Sequence, residues 1–123
     1  MGDETTPEIE YEALAAGVKD GSLIVIDVRN PEEIASQGRI PGSINIPLPE
    51  VPDVFKNLSD EEFASRFGFN KKSSKPLVFS CRSGRRAEAA IDNLLPFGLP
   101  NNYLLYRGSW SDWVEKGGEV EQA

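Results

Sequence analysis

The sequence predicts an α/β fold in which helices cover both faces of a mostly parallel sheet. Two short runs, 23–29 and 77–80, are almost continuously apolar, which is typical of strands buried on both faces. Helical segments follow both runs, and this alternation indicates parallel strands joined by helices. A length of 123 residues, with 39% hydrophobic and 27% charged residues, predicts one domain over 1–123 with a core from about 9 to 120.

The N-terminal part of the chain predicts two helices. Residues 9–19 are expected to form a short strand and then the first helix. The second helix follows the first apolar run and begins with a capping box, in which Asn30 is the N-cap and Glu33 lies three residues later. Pro31 suits the first helical position because its missing N–H is not needed there. Gly38 is expected to end this helix.

A second strand and a further helix are predicted in the middle of the chain. The strand covers 43–46 and ends at Pro47, because proline has no N–H to donate to a neighbouring strand. The proline-rich segment 47–52 is interpreted as a connector. Another capping box, at 59–62, begins a helix with an aromatic edge directed inward. That edge consists of Phe63, Phe67 and Phe69.

The C-terminal part predicts two more pairs of strand and helix. The helix after the 77–80 strand is expected to end at Gly98. Its apolar face consists of Ala87, Ala90, Ile91, Leu94 and Leu95. Residues 103–106 form the last predicted strand, and 109–116 form the closing helix. The apolar side of the closing helix carries Trp110, Trp113 and Val114.

Charge and composition exclude several classes of function. The formal charge of −7 repels nucleic acid and anionic lipid surfaces, and the chain lacks the roughly 20 consecutive apolar residues of a membrane span. With no histidine, the chain cannot form a Cys-His or Ser-His-Asp nucleophile pair. One cysteine allows neither an internal disulfide nor a zinc site made of several thiolates. We therefore predict no metal or cofactor, no nucleic-acid or membrane partner, and a reducing compartment, the cytoplasm first and the mitochondrion second.

The segment Cys81–Arg86 carries the chemistry, because it lies between a buried strand and a helix. Backbone amides in such a loop can surround an anion at the positive end of the helix, and Gly84 permits the tight turn. A helix N-terminus and nearby guanidinium groups stabilise a cysteine thiolate. We therefore expect Cys81 to act as a nucleophile without a histidine.

Positive charge is concentrated in this loop of an otherwise acidic chain. Three arginines within six residues supply planar, paired donors for an oxyanion. A lone cysteine is usually a small buried hydrophobic residue, and the arginines could belong to a solvated helix start. The combination of strand, cysteine, glycine and arginines favours a reactive site. The predicted substrate-binding residues are Arg82, Ser83, Gly84, Arg85 and Arg86.

Four further residues are candidates for a supporting role. Asp27 and Arg29 end the first long strand, at the edge of the sheet where ligands bind in such folds, and either position the loop arginines or form a structural ion pair. Arg107 ends the last strand and could contact an anion. Trp110 could line the mouth of the site, although tryptophans on one face of a helix are more often core residues.

Four segments together resemble the rhodanese-like sulfurtransferases of the short single-domain kind, over about residues 9–120. Residues 26–29 resemble the family's Asp-x-Arg strand end, and 38–47 resemble its Gly-His-Ile-Pro-Gly-Ala-x-Asn-Ile-Pro segment. Residues 81–86 are similar to its active-site loop, and 108–117 to its terminal Gly-Gly-x-x-x-Trp-x-x-x-Gly element. Two departures are Arg39 in place of histidine and Ser109 in place of the second glycine. We expect neither to touch the nucleophile.

The resemblance implies a rhodanese-like fold with a five-stranded, mostly parallel sheet and helices on both faces. It also implies an enzyme that moves the sulfane sulfur of thiosulfate, or of a similar donor, onto Cys81 as a persulfide and then to a thiol or cyanide. The amides from Arg82 to Arg86 are expected to stabilise the anionic outer sulfur of this persulfide. Because the chain has no second cysteine, the acceptor must be external, such as glutathione or a protein thiol. A monomer is expected.

Two other functions remain open from the sequence. A dual-specificity phosphatase of the cell-division-cycle type shares this fold by resemblance, but it has five residues between cysteine and arginine, whereas Cys81 and Arg86 are separated by four. The shorter loop favours a sulfur atom over a phosphoryl group and disfavours an arsenate reductase as well. The second alternative is a persulfide carrier or regulatory binding module without turnover as its main role.

Overall fold

The computed structural model of the protein describes residues 6–70, 74–97 and 102–122. Four strands form a single parallel sheet: β1 (Ile24–Asp27), β2 (Ile44–Asn45), β3 (Leu77–Ser80) and β4 (Tyr103–Leu105). They lie side by side in the order β2-β1-β3-β4. All four carboxyl ends therefore meet at one edge of the sheet, and the segment after β3 begins with Cys81.

The described residues form six α-helices, of which the first precedes the sheet and the others connect or follow its strands. They are α1 (Tyr11–Asp20), α2 (Pro31–Gln37), α3 (Val51–Asn57), α4 (Asp60–Phe67), α5 (Arg85–Leu94) and α6 (Ser109–Glu115). None of the helices in the described ranges is both long and apolar enough to cross a lipid bilayer.

The sheet separates two apolar cores, because successive side chains of a strand point to opposite faces. Ile26 and Phe79 belong to the larger core, which α3, α4 and α5 cover. Val25 and Val78 belong to the second core, which α1 and α6 cover. The predicted arrangement of helices on both faces is confirmed.

The predicted number of five strands is wrong, because the described sheet has four. At the predicted N-terminal strand, only a single parallel bridge joins Glu8 to Leu105. Ile9 donates its N–H to the carbonyl of Leu105 at 3.1 Å, and Leu105 donates to the carbonyl of Pro7 at 2.8 Å. Pro7 has no N–H to donate, and α1 begins at Tyr11, so among the described residues the pairing with β4 stays at this one bridge.

The predicted helix boundaries are confirmed in one case and wrong in another. The second helix has its capping box and stops at Gly38, which has a φ of 88°. The expected connector at 47–52 is wrong: it contains a short 3₁₀ turn and then the start of α3. Its prolines lie in the first turns of these helices, where the missing N–H has no helical partner in any case.

Two predictions remain for the C-terminal part of the chain, the apolar side of α6 and the helix end at Gly98. Trp110 and Trp113 are buried on α6, but Val114 is 48% exposed, so its assignment to the apolar side is wrong. A helix turns by about 100° per residue, which carries Val114 away from the face of Trp113. The expected helix end at Gly98 lies outside the described residues.

Candidate active site

The loop after β3 is held in a tight turn that only glycine can complete. Gly84 is the N-cap of α5 and has a φ of 95°, in the left-handed region. A Cβ at this position would collide with the backbone carbonyl oxygen of Arg107. Close packing against the end of β4 and the left-handed backbone therefore both require glycine here.

The sulfur of Cys81 occupies the place of a helix cap. Sγ accepts an N–H from Gly84 at 3.0 Å and another from Ala87 at 3.4 Å. A helix N-cap normally accepts the N–H of the second or third helical residue with its side chain, and a glycine N-cap has no side chain for this. Sγ therefore satisfies an amide of the first turn of α5 and lies at the positive end of the helix dipole.

The sequence predicts that amides from Arg82 to Arg86 stabilise the outer sulfur of a persulfide, and the structure shows which amides contact Sγ itself. Within the predicted range from Arg82 to Arg86, the amide that donates to Sγ is that of Gly84. The second donor, Ala87, was missed. Its position as the third residue of the helix is the signal that could have identified it, because amides of a first helical turn lack partners within the helix.

Cys81 has no exposed surface and belongs to the larger apolar core, together with Val28, Ile46 and Phe79. The sulfur therefore has apolar neighbours as well as two amide donors directed at it. Exclusion of water strengthens the interaction of these N–H dipoles with any negative charge on Sγ.

The N-terminus of α6 holds the loop from the other side. The Cys81 carbonyl accepts the N–H of Trp110 at 2.9 Å, and the Arg82 carbonyl accepts that of Ser111 at 3.1 Å. The Cys81 N–H donates to Oγ of Ser109 at 3.0 Å, and this oxygen lies 3.9 Å from Sγ. The expectation that Ser109 does not touch the nucleophile is therefore wrong. Arg39, the other departure, pairs with Glu121 at 2.9 Å.

Arg86 is occupied by a carboxylate from another element. Its guanidinium forms a paired contact with Glu33 of α2, at 2.7 and 3.0 Å. This hydrogen bonding lowers the pKa of Glu33 from 4.5 to about 2. Glu33 in turn raises the pKa of Arg86, with a further contribution from the nearby Cys81. A direct contact between Arg86 and an anion stays a prediction.

The remaining predicted loop residues are open to solvent. Arg82, Ser83 and Arg85 are all exposed. Within the described ranges, neither Arg82 nor Arg85 forms a salt bridge, so their positive charges are not neutralised by a neighbouring carboxylate. These two arginines are therefore the loop guanidinium groups available to a dissolved anion.

Asp27, Arg29 and Trp110 form a buried cluster that links three elements. Arg29 has no exposed surface and binds Asp27 through Nη2 at 2.7 Å. The same nitrogen donates to the carbonyl of Gly38 at the end of α2. Its guanidinium lies 4.7 Å from the ring centre of Trp110 on α6. The contacts are those of a structural ion pair. A role of Asp27 and Arg29 in positioning the loop arginines stays a prediction, as does a place for Trp110 at the mouth of the site.

Arg107 forms contacts with two acidic side chains. Its Nε lies 2.9 Å from Glu8, and Nη2 lies 3.4 Å from Glu88 of α5. Arg107 is exposed, and its carbonyl backs the turn at Gly84. A further role as an anion contact stays a prediction.

Comparison with known proteins identifies the family. The model of the rhodanese-like domain matches residues 10–116. The chain belongs to the rhodanese-like family. This rhodanese-like domain is 39% identical to the mouse thiosulfate sulfurtransferase/rhodanese-like domain-containing protein 3, over 89% of this chain and 70% of the relative. It is 40% identical to the yeast (Saccharomyces cerevisiae) thiosulfate:glutathione sulfurtransferase, over 84% of this chain and 73% of the relative.

A solved structure agrees with this assignment. The human single-domain sulfurtransferase TSTD1 matches the rhodanese-like domain with a TM-score of 0.78 and 28% identity. The match covers 91% of this chain and 98% of the human chain. The resemblance drawn from four sequence segments is thereby confirmed at the level of the family and the fold.

Replacing Cys81 tests whether its sulfur caps α5 of the rhodanese-like domain. Cys81→Ala removes the acceptor of two amides, and we expect it to lower the free energy of unfolding by about 1–2 kcal/mol. Cys81→Ser keeps an acceptor atom and should lower the free energy of unfolding by less than Cys81→Ala does. Urea denaturation of both variants measures the difference. Equal losses in the two variants would show that the sulfur does not act as a cap.

The contact between Glu33 and Arg86 predicts a specific pH dependence of stability. Because the pKa of Glu33 falls from 4.5 to about 2 in the folded domain, its carboxylate stabilises the fold above pH 4.5. That contribution is lost as the pH falls through about 2. After allowance for solvent screening, we expect Glu33→Gln to lower the free energy of unfolding by about 1–2 kcal/mol at pH 7. This difference from the wild type should shrink steadily as the pH falls below 4.5.

The matched control for Glu33 is Glu50→Gln, which breaks an exposed pair with Arg66. Exposed ion pairs contribute little to stability, so the free energy of unfolding of Glu50→Gln should stay within about 0.5 kcal/mol of the wild-type value. Chemical denaturation between pH 2.5 and 7 measures both variants. A cost of Glu33→Gln that does not change with pH would contradict the assignment.

Proposed function

We propose that the protein is a thiosulfate sulfurtransferase that carries sulfane sulfur on Cys81 as a persulfide. The observation that carries the proposal is the position of Sγ, which accepts N–H donors from Gly84 and Ala87 at the N-terminus of α5. These donors stabilise an anionic sulfur without an imidazole, in a chain that contains no histidine. The names of the relatives from mouse and yeast support thiosulfate as the donor.

The first step transfers one sulfur atom from thiosulfate. The Cys81 thiolate attacks the outer sulfur of thiosulfate, and a new S–S bond forms. The bond between the two sulfur atoms of thiosulfate breaks, and sulfite leaves with the electron pair. Cys81 then carries a persulfide whose outer sulfur is anionic, so the total charge is conserved. The amides that surround Sγ are close enough to stabilise that charge as well.

The second step returns Cys81 to its thiolate form. An acceptor thiolate attacks the outer sulfur, takes it as a new persulfide and releases the Cys81 thiolate. Cyanide can accept the same sulfur and leave as thiocyanate. Cys81 is the only cysteine, so the thiol must come from outside the chain. The yeast thiosulfate:glutathione sulfurtransferase supports glutathione as that thiol, and a reducing compartment, cytoplasm or mitochondrion, would supply it.

Capture of the donor depends on Arg82 and Arg85 in this proposal. Both are exposed, whereas Arg86 is bound to Glu33. Their charges attract a dianion toward the loop although the chain as a whole carries −7. Because Cys81 has no exposed surface, the loop must open before thiosulfate reaches Sγ. The exposed arginines would therefore hold the donor at the surface until the loop moves.

Intact-mass spectrometry tests the persulfide directly. Wild-type protein incubated with thiosulfate should gain one sulfur atom, and glutathione should remove it. Cys81→Ser should show no gain, because its hydroxyl cannot form the S–S bond. A wild type that never gains sulfur from thiosulfate would refute the proposal. Sulfur uptake with negligible turnover would instead favour a persulfide carrier.

An assay with an aryl phosphate separates the sulfurtransferase from the phosphatase of similar fold. We expect no hydrolysis, because Arg86 is already paired with Glu33 and only four residues separate it from Cys81. Rapid hydrolysis that depends on Cys81 would favour the phosphatase.

Charge removal at the exposed arginines tests donor capture. Arg82→Gln and Arg85→Gln should each raise the KM for thiosulfate about three- to tenfold and leave kcat nearly unchanged, because they weaken attraction without moving the sulfur. The effect should shrink at high ionic strength. Arg66→Gln, at an exposed arginine of α4, is the control and should leave the KM as in the wild type. An unchanged KM in both loop variants would assign donor capture to other groups.

A further inference from the structure

Ser109 is held in a backbone conformation that serine rarely adopts. Its φ is 54°, and among the described residues it is the only one other than glycine with a positive φ. Such a conformation costs free energy in a residue with a Cβ, and it persists only where other contacts enforce it. A glycine would adopt the same backbone without strain. The hydroxyl group makes two contacts that a glycine at this position could not make.

Both hydrogen-bonding functions of that hydroxyl are used. Ser109 is fully buried, and its hydroxyl donates to the carbonyl of Tyr106 at 2.8 Å. Its oxygen accepts the N–H of Cys81 at 3.0 Å. The single proton is directed at Tyr106, so a lone pair of Oγ faces the Cys81 amide. The end of β4 thus determines the orientation of a hydroxyl that binds the nucleophile's own backbone.

Consecutive residues at the start of α6 fix Cys81 at both of its backbone polar groups. Ser109 binds the N–H of Cys81, and the N–H of Trp110 binds its carbonyl at 2.9 Å. With both groups fixed, the peptide planes on either side of Cys81 cannot rotate freely. Sγ then stays 3.0 Å from the N–H of Gly84 and 3.9 Å from Oγ of Ser109.

We propose that Ser109 is a positioning residue, whose hydroxyl orients the backbone of Cys81 so that Sγ stays directed at the amides of α5. The inference extends the proposed sulfur transfer and rests on it for the role of Cys81. Ser109 does not contact the donor in this proposal. Its loss should therefore slow the reaction of the sulfur and leave the binding of thiosulfate unchanged.

Two substitutions separate the hydroxyl from the backbone conformation. Ser109→Gly removes the hydroxyl and relieves the strain, which offsets part of the cost of the unpaired Cys81 N–H, so its melting temperature should fall less than that of Ser109→Ala. The kcat of Ser109→Gly for thiosulfate should nevertheless fall about tenfold with an unchanged KM, since one positioning hydrogen bond is lost. Ser109→Ala removes the hydroxyl and keeps the strain, so it should lose both stability and kcat. Ser65→Gly and Ser65→Ala, at an exposed serine of α4, are the matched controls.

A second measurement does not depend on sulfur transfer. The rate constant for alkylation of Cys81 by iodoacetamide at pH 7 should fall in Ser109→Gly and stay at the wild-type value in both Ser65 variants. A wild type that takes no sulfur from thiosulfate would refute the proposed function, while alkylation would still test Ser109. An unchanged kcat, an unchanged or faster alkylation in Ser109→Gly, or a change confined to KM would overturn the inference.

Discussion

The structure depends on one interaction, the contact of the Cys81 sulfur with the first turn of α5. A helix that begins at a glycine N-cap lacks the side chain that usually accepts its orphan amides. The sulfur takes that place through its contacts with Gly84 and Ala87. The atom proposed to react is therefore also an atom that completes the fold. Two N–H donors are thus directed at this sulfur in a chain without histidine.

Two other elements keep this contact in place. The end of β4 lies against Gly84, where a Cβ would meet the carbonyl of Arg107. The start of α6 binds the backbone of Cys81 through Ser109 and Trp110. Arg29 links the end of β1 to two helices. It pairs with Asp27, donates to the carbonyl at the end of α2, and lies over the ring of Trp110 on α6. The loop is short, and its geometry is determined by the elements around it more than by its own residues.

Ion pairs with distant residues divide the arginines in and next to the active-site loop into two groups. Arg86 pairs with Glu33. Arg107 pairs with Glu8 and Glu88. Arg82 and Arg85 keep exposed charges. Within the loop, Arg86 therefore links α5 to α2, while Arg82 and Arg85 are the arginines proposed to attract the donor. Counting the positive charges in the sequence overestimates the number of guanidinium groups that a donor can reach.

The sequence by itself determined the family and most of the strands and helices. The informative signals were short: the capping box at Asn30, the apolar runs, and the single cysteine before Gly84. Each depends only on residues that are close in the sequence, so it can be recognised without the tertiary structure. The start of α3 was missed because prolines suit both a connector and a first helical turn.

Only the tertiary structure decided which groups meet. Glu33 pairs with Arg86 across 53 residues, and Ser109 binds Cys81 across 28. The fifth strand is reduced to one bridge between Glu8 and Leu105. Such contacts depend on how distant segments pack, whereas propensity and spacing report only on neighbours along the chain.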